Sequence, residues 1–425
     1  MFVYRWRVRD LMRYIESNSE LLESIPFFGD KENLISAGKL FDFDKRHIVF
    51  GNGAIEYVGK ECQRLGLKRI LLVLDRGVAS LAGHILKSLE NYSVKSVGNY
   101  DKIISNPSVS SVNDCAKAIA ESGADGIVAF GGGSTMDTVK AGACVATTNL
   151  SVKNYWGFDR ITQPAKWPII AVPTTAGTGS EVSRVCVIAD KEGKNAAYSE
   201  YLQPAVAIID PCVQMEMPSS LTAITGLDAL GHAFECTASK KCDVVGDAVA
   251  RESLRIGAKS FVKAVENGNE ALDARYGMAK CSLLAGLLLG PINTGAGHAL
   301  GYAIEKLTFL RGFPVPHGAA VALVLPGVIR HNIPAVADKY YYAAGVAGMD
   351  LKGKTREAGA AEAAIWINDL RCSYTAFPTL KAVGITEKDI PDMVQMALSV
   401  RRLLDPNPVL VDQEVAESIY RSVLN

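Results

Sequence analysis

From His47 onward, short apolar runs alternate with longer stretches whose apolar residues recur every three or four positions. The short runs His47–Phe50, Arg69–Leu74, Gly126–Phe130 and Trp167–Pro173 predict strands; the first ends on the turn signal Gly51-Asn52-Gly53. Helical spacing fills the intervals, through Ile55 and Val58 to Leu65, from Leu81 to Leu89, and from Val112 to Ser122. Such alternation over residues 47–210 predicts a parallel sheet covered on both faces, with ligands at the carboxyl ends of its strands. Beyond Asp210-Pro211 strand-like runs become few, and helices are predicted over Asp243–Val265, Ala271–Leu289, Glu357–Leu370 and Ile390–Leu404. The expected organisation is a leader over residues 1–45 with an amphipathic helix from Leu11 to Leu22, an α/β domain over 46–213, and an all-helical domain over 214–425.

Two strand ends carry small and hydroxylic residues. Gly126–Phe130 runs directly into Gly131-Gly132-Gly133-Ser134-Thr-Met-Asp137, and strand, glycine turn, helix is the order that offers backbone N–H groups to a phosphate. Trp167–Pro173 delivers Thr174-Thr175-Ala-Gly177-Thr178-Gly179-Ser180-Glu181, which can approach a polar ligand closely. Together they point to a nucleotide cofactor in the Rossmann-like part. Asp75, closing an earlier strand, can accept hydrogen bonds from a ribose 2′-hydroxyl and repel a 2′-phosphate, or it can be an ordinary strand-end turn residue.

A different chemistry lies between Gly226 and His317. Asp228 and His232 are four apart in a helical pattern and share one face. His298 and His317 sit in two further apolar segments, so three of the chain's six histidines are concentrated among Gly, Ala and Leu. An uncharged core has little use for them. Three imidazoles and one carboxylate suit Fe(II), Zn(II) or a related first-row ion.

Composition narrows the partners. Basic and acidic residues number 45 each, which argues against nucleic acid or an anionic membrane. The nine cysteines lack paired metal or redox spacing and fit reduced thiols in a cytoplasmic protein. The N-terminus is broken by Arg5, Arg7 and Arg9, unlike a secretion signal, and the apolar run Ser282–Gly290 is too short to span a bilayer.

Gly131-Gly-Gly-Ser134-x-x-Asp137, Pro173-Thr-Thr-Ala-Gly-Thr-Gly-Ser-Glu181, Gly226-x-Asp228-x-x-x-His232 and Pro316-His317-Gly318 together resemble the iron-containing (group III) alcohol dehydrogenases across roughly residues 45–420. The resemblance implies a dehydroquinate synthase-like architecture and a metal held by Asp228, His232, His298 and His317. It also implies a dinucleotide gripped by Asp75, Gly132, Gly133, Ser134, Asp137, Thr174, Thr175 and Thr178, with Lys194 in the position of a lysine that reaches the cofactor. The implied reaction is metal-assisted hydride transfer between nicotinamide and a small alcohol or aldehyde, with Fe2+ (or Zn2+), NAD rather than NADP, and a homodimeric assembly. Arg76 beside Asp75 could nevertheless help accept a 2′-phosphate.

Two departures stand out. Tyr302 replaces a histidine found in many relatives four residues after the third ligand, which makes Tyr302 a candidate in the proton route. A rival alignment would match His298 to that histidine and put Thr294 in the ligand position. The stretch Glu305–Phe313 looks extended and predicts an enlarged loop beside the metal, while Tyr155, Trp156 and Phe158 are candidate cleft aromatics. The alternative activity, an internal-redox lyase like dehydroquinate synthase, needs a dense basic cluster; only Lys306 and Arg311 lie near the ligand segments. A catalytically silent binding protein is the third reading, and an intact ligand set argues against it.

Overall fold

Six parallel strands form the main sheet of the computed structural model, which describes residues 47–190 and 193–425. The leader and the helix predicted for it over Leu11–Leu22 lie outside the described residues. Strands β1 (His47–Phe50), β2 (Arg69–Leu74), β3 (Lys95–Tyr100), β4 (Gly126–Gly131), β6 (Ile169–Pro173) and β9 (Val206–Ile209) are arranged in the order β1-β9-β6-β4-β2-β3. Helices α1 (Val58–Arg64), α2 (Ala82–Asn91), α3 (Val109–Glu121) and α4 (Gly133–Thr148) connect them.

The pleat sorts the core. Ile70, Leu72, Leu74, Val128 and Phe130 pack with Val58, Cys62, Ile85 and Leu89 on one face, while Leu71, Val73, Ile127 and Ala129 pack with Cys115, Ile119, Met136 and Val139 on the other. Both faces being covered, the strands carry near-continuous apolar runs, which is why they were legible. The chain passes from β2 to β3 on one side and then returns to β4 on the other. That reversal opens a crevice between β2 and β4 at their carboxyl ends.

A second, three-stranded sheet was not predicted. It comprises β5 (Gly157–Phe158), β7 (Val185–Asp190) and β8 (Gly193–Tyr198), with β7 and β8 antiparallel. Gly-Lys-Asn-Ala-Ala-Tyr carries no strong strand pattern, so Lys194, which looks like a solvated turn residue, lies instead on β8 and is half-buried. The predicted strand at Trp167 begins two residues later; the Trp167 indole N–H turns away to donate to the Ala124 carbonyl at 2.9 Å.

The remainder is helical: α5 (Ser219–Ala238), α6 (Val244–Asn267), α7 (Leu272–Leu288), α8 (Ala296–Leu310), α9 (His317–Val346), α10 (Arg356–Tyr374), α11 (Ile390–Leu398), α12 (Arg401–Leu404) and α13 (Gln413–Ser422). The predicted helix Ile390–Leu404 is broken at Val400, whose φ of −87° and ψ of 54° are not helical. The expected loop over Glu305–Phe313 is mostly helix, because α8 runs on to Leu310. Every residue of α5 from Gly226 to Ala238 is buried, which makes this helix the axis of the bundle and sinks Asp228 and His232 into its interior. Helix α9 is long and apolar enough to cross a bilayer, yet the stretch Gly318 to Pro326 near its start is wholly buried against neighbouring elements.

Candidate active site

Adjacent strands β6, β4 and β2 end in the three loops singled out by sequence. The Thr174 N–H donates to the Gly131 carbonyl at 2.9 Å and the Asp75 N–H to the Phe130 carbonyl at 3.0 Å, so the strand ends are tied side by side. Gly132 is the N-cap of α4 and offers no side chain to its first turn. A Cβ on Gly133 would come within 2.8 Å of Thr178, and one on Gly132 within 3.2 Å of Thr175. The two loops therefore pack against each other, and the unfilled donors at the start of α4 face a cleft of 640 Å³.

That cleft is lined by Asp75, Gly132, Gly133, Ser134, Asp137, Thr174, Thr175, Thr178 and Lys194 at one end and by Asp228, His232, His298, Tyr302 and His317 at the other. All fourteen predicted residues are thus brought together. Tyr155, Trp156 and Phe158 are not among its walls. Tyr155 is buried in the core beside Thr148, Trp156 packs on the same cluster, and Phe158 is exposed, stacked on Tyr198 at 4.5 Å. The cleft aromatics are instead Tyr198 and Tyr302.

Asp137 does a different job from the one expected. Its Oδ1 accepts from the Ser180 hydroxyl at 2.6 Å and its Oδ2 from the Val187 N–H at 2.9 Å, so both oxygens serve to tie α4 to the Thr-Gly-Ser loop and to β7. Burial raises its pKa against the opposing pull of Lys140. Asp75 spends one oxygen on the Gly77 N–H at 2.8 Å, and Arg76 turns out to pair with Asp101 at 3.0 Å.

The four candidate ligand residues converge at a point. One donor atom from each of Asp228, His232, His298 and His317 lies within 4.8 Å of the others. The Nε2 atoms of His232, His298 and His317 stand 3.6, 3.7 and 3.6 Å from Asp228 Oδ1. These gaps are too long for hydrogen bonds. They approach the roughly 3.4 Å that separates ligands on a tetrahedral ion with bonds near 2.1 Å. Asp228 Oδ1 and His298 Nε2 are buried with no hydrogen-bond partner, as are few native polar atoms. Donor chemistry and orphaned atoms both fit a divalent cation. His298 supplies one of the four converging donors, which supports it as the ligand over the rival alignment; Thr294 also lines the cleft.

Two carboxylates that the sequence reading missed orient the imidazoles. Glu235 pairs with Nδ1 of His298 and accepts from its backbone N–H at 3.2 Å. Glu305 accepts from Nδ1 of His317 at 2.6 Å and from the Lys194 ammonium. A carboxylate can only accept, so each Nδ1 carries a proton, which leaves Nε2 as the nitrogen that can turn a lone pair toward a cation displacing any proton there. Burial raises the Glu305 pKa, but Lys194 and His317 outweigh it and hold the group down to about 2. Burial likewise opposes protonation of His298, and Glu235 and Asp228 overcome it, lifting His298 to about 9; burial prevails at His232, which falls to about 4. Burial pushes the Tyr302 phenol up despite the neighbouring Arg402 guanidinium.

Residues 45–211 match the family described as Iron-containing alcohol dehydrogenase, and residues 222–424 match the C-terminal part of the Fe-containing alcohol dehydrogenase family. The chain belongs to the iron-containing alcohol dehydrogenase family. It is an oxidoreductase acting on CH–OH groups, and an internal-redox lyase is not favoured. Among similar proteins, a choline dehydrogenase of Bacillus subtilis is 35% identical over 89% of this chain and 93% of its own. A 1,3-propanediol dehydrogenase of Klebsiella pneumoniae is 34% identical over 90% and 98%. A solved 1,3-propanediol oxidoreductase superposes with a TM-score of 0.83 at 34% identity, covering 89% of this chain and 98% of that one. The sulfoacetaldehyde reductase of Bifidobacterium kashiwanohense, solved in complex with NAD+, gives 0.78 at 29% identity over 91% and 99%.

Proposed function

We propose that this chain is an Fe(II)-dependent, NAD-linked dehydrogenase of small alcohols, also competent to reduce the corresponding aldehydes, with Asp228, His232, His298 and His317 as the metal ligands. The carrying observation is the convergence of those four donors around two buried atoms that have no other partner. A divalent cation there supplies Lewis acidity toward the reacting oxygen, and nicotinamide supplies or takes the hydride. Zinc could occupy the same donor set.

The protein's own groups do the rest. Glu235 and Glu305 fix the tautomers of His298 and His317. The N–H groups at Gly132 and Gly133, with the hydroxyls of Ser134, Thr174, Thr175 and Thr178, face the position of a pyrophosphate at the start of α4. Asp75 addresses the ribose and disfavours a 2′-phosphate, and Arg76, engaged with Asp101, does little to offset that. Asp75→Ala should therefore narrow the preference for NAD over NADP, read from the two KM values. Burial raises the Tyr302 phenol pKa, which favours a hydrogen-bonding role at the cleft wall over that of a base. The proton then leaves through water or the ribose hydroxyls, and Tyr302→Phe should leave the pH dependence of turnover unshifted.

The division into an α/β domain over 46–213 and a helical domain over 214–425 is part of the proposal; the two family matches, over 45–211 and 222–424, support it. A cytoplasmic setting, in which thiols stay reduced, is part of the same proposal. A homodimer is the expected assembly, to be checked by sedimentation. The deciding experiment is an anaerobic assay of Fe(II)-loaded protein with alcohols and aldehydes, NAD and NADP, and a chelated control. Metal-dependent change in NADH establishes the reading; the same rate after full chelation overturns it.

A further inference from the structure

Arg402 carries a charge that nothing near it answers. It lies on α12 and lines the cleft shared with the metal ligands. Its Nη1 donates to the Tyr198 hydroxyl at 2.6 Å, and its guanidinium sits 5.5 Å from the Tyr198 ring centre and 5.4 Å from that of Tyr302. Among the described residues no carboxylate lies within ion-pair distance of it. The other cation on the cleft wall, Lys194, is neutralised by Glu305, which also holds His317.

The position is equally telling. The Tyr302 ring is 5.5 Å from the His317 ring, so Arg402 stands one tyrosine's breadth beyond a metal ligand. Two aromatic faces restrict the guanidinium plane, which lowers the entropy lost when its remaining N–H groups bind an oxyanion as a fork. A half-buried arginine fixed in this way and lacking a carboxylate is a poor structural element and a good receptor.

We infer that Arg402 is a specificity-determining residue that receives the far end of the substrate, and that the substrate class is a short-chain alcohol or aldehyde ending in a carboxylate or sulfonate. This rests on the dehydrogenase reading above and adds to it. Neutral diols leave the guanidinium with only its tyrosines, and a quaternary ammonium terminus is repelled by it.

The test uses Fe(II)-loaded enzyme and NADH with four aldehydes: butanal, 4-oxobutanoate, 2-oxoethanesulfonate and trimethylammonioacetaldehyde. The expected order of kcat/KM places one or both anionic aldehydes first, and the better of the two identifies the oxyanion. Arg402→Gln should raise the KM for that aldehyde roughly ten- to a hundredfold, as loss of a charge-assisted pair does. It should leave KM for butanal and for NADH within about threefold, and Arg402→Lys should restore the anion preference in part. Calorimetric titration with 4-hydroxybutanoate and with butan-1-ol gives a readout free of turnover: the variant should lose affinity for the first alone. Reduction of butanal or the cationic aldehyde in preference to both anions overturns the inference and leaves the dehydrogenase standing, as does an equal loss on all substrates in Arg402→Gln. Consumption of NADH by none of the four overturns both.

Discussion

Glu235 and Glu305 each hold an imidazole that belongs to another helix, and so govern the ligand set without joining it. Replacing Glu235 by Gln keeps the shape but lets the amide present either a donor or an acceptor to Nδ1 of His298, so the tautomer that frees Nε2 is no longer enforced. The expected outcome is a ten- to hundredfold loss of metal affinity, roughly the usual consequence of removing such a partner. Competition with a chromophoric chelator would measure it, and unchanged affinity would deny Glu235 this role. Glu181 illustrates a purely structural buried acid. Burial raises it to about 7, and Lys140 offers little relief because its donors are taken by Ser180, Ser183 and Val185. Its folded pKa lies above the ordinary value of 4.5, so the folded protein holds the proton more tightly and this group's contribution to stability falls as pH rises from about 4.5 to about 7. Glu181→Gln removes that dependence. Relative to the parent, the variant should gain stability between pH 4.5 and 8, on the order of 3 kcal/mol, measured by denaturant unfolding at both values.

At the scale of elements, the ligand helices repeat one pattern. Asp228, His232 and Glu235 stand at positions i, i+4 and i+7 of α5, and His298, Tyr302 and Glu305 stand at the same spacing on α8. The face was therefore legible in the sequence, as were the apolar strands and the glycine turn. What the spacing could not reveal is that the third member of each set reaches across to the next helix, Glu235 to His298 and Glu305 to His317. That depends on how three helices pack, which local periodicity does not encode. The hairpin of β7 and β8 escaped for the opposite reason: its second strand is polar and small, and only its partner makes it a strand. Arg402 escaped because one arginine among 45 basic residues, on a helix of four residues, gives no signal until folding sets it beside the cleft. The glycine turn also makes a sharp prediction. Gly133→Val sets a branched side chain where even a Cβ meets Thr178 at 2.8 Å, forcing the two cofactor loops apart. KM for NAD should rise at least about tenfold. Metal content should not change, because the ligands stand on α5, α8 and α9. Metal loss in this variant would mean that the two ends of the cleft are not independent.

For the molecule as a whole, the cation site is a clasp among three helices that otherwise meet through apolar packing and the Glu235–His298 and Glu305–His317 pairs. Asp228 comes from the buried axis α5, His298 from the first turn of α8, and His317 opens α9. Without a cation the bundle must enclose a carboxylate oxygen and an imidazole nitrogen that have no partners. With one, both are satisfied, and any affinity for the native state alone appears as stability. At a free metal concentration a thousandfold above Kd the gain is about 4 kcal/mol. Spread over the large unfolding entropy of a chain of 425 residues, each kcal/mol moves Tm by only about 1–2 °C, so loading should raise Tm by several degrees. His317→Ala leaves a ligand set of three, and its half-buried ring lies at the cleft rather than in the core, so the apoprotein should melt close to the parent while the metal-induced rise shrinks. Scanning calorimetry of chelated, Fe(II)-loaded and Zn(II)-loaded samples of both proteins distinguishes the contributions. A parent Tm that is indifferent to either ion would remove the clasp, and with it the reason for two unpartnered buried atoms at the meeting point of three helices.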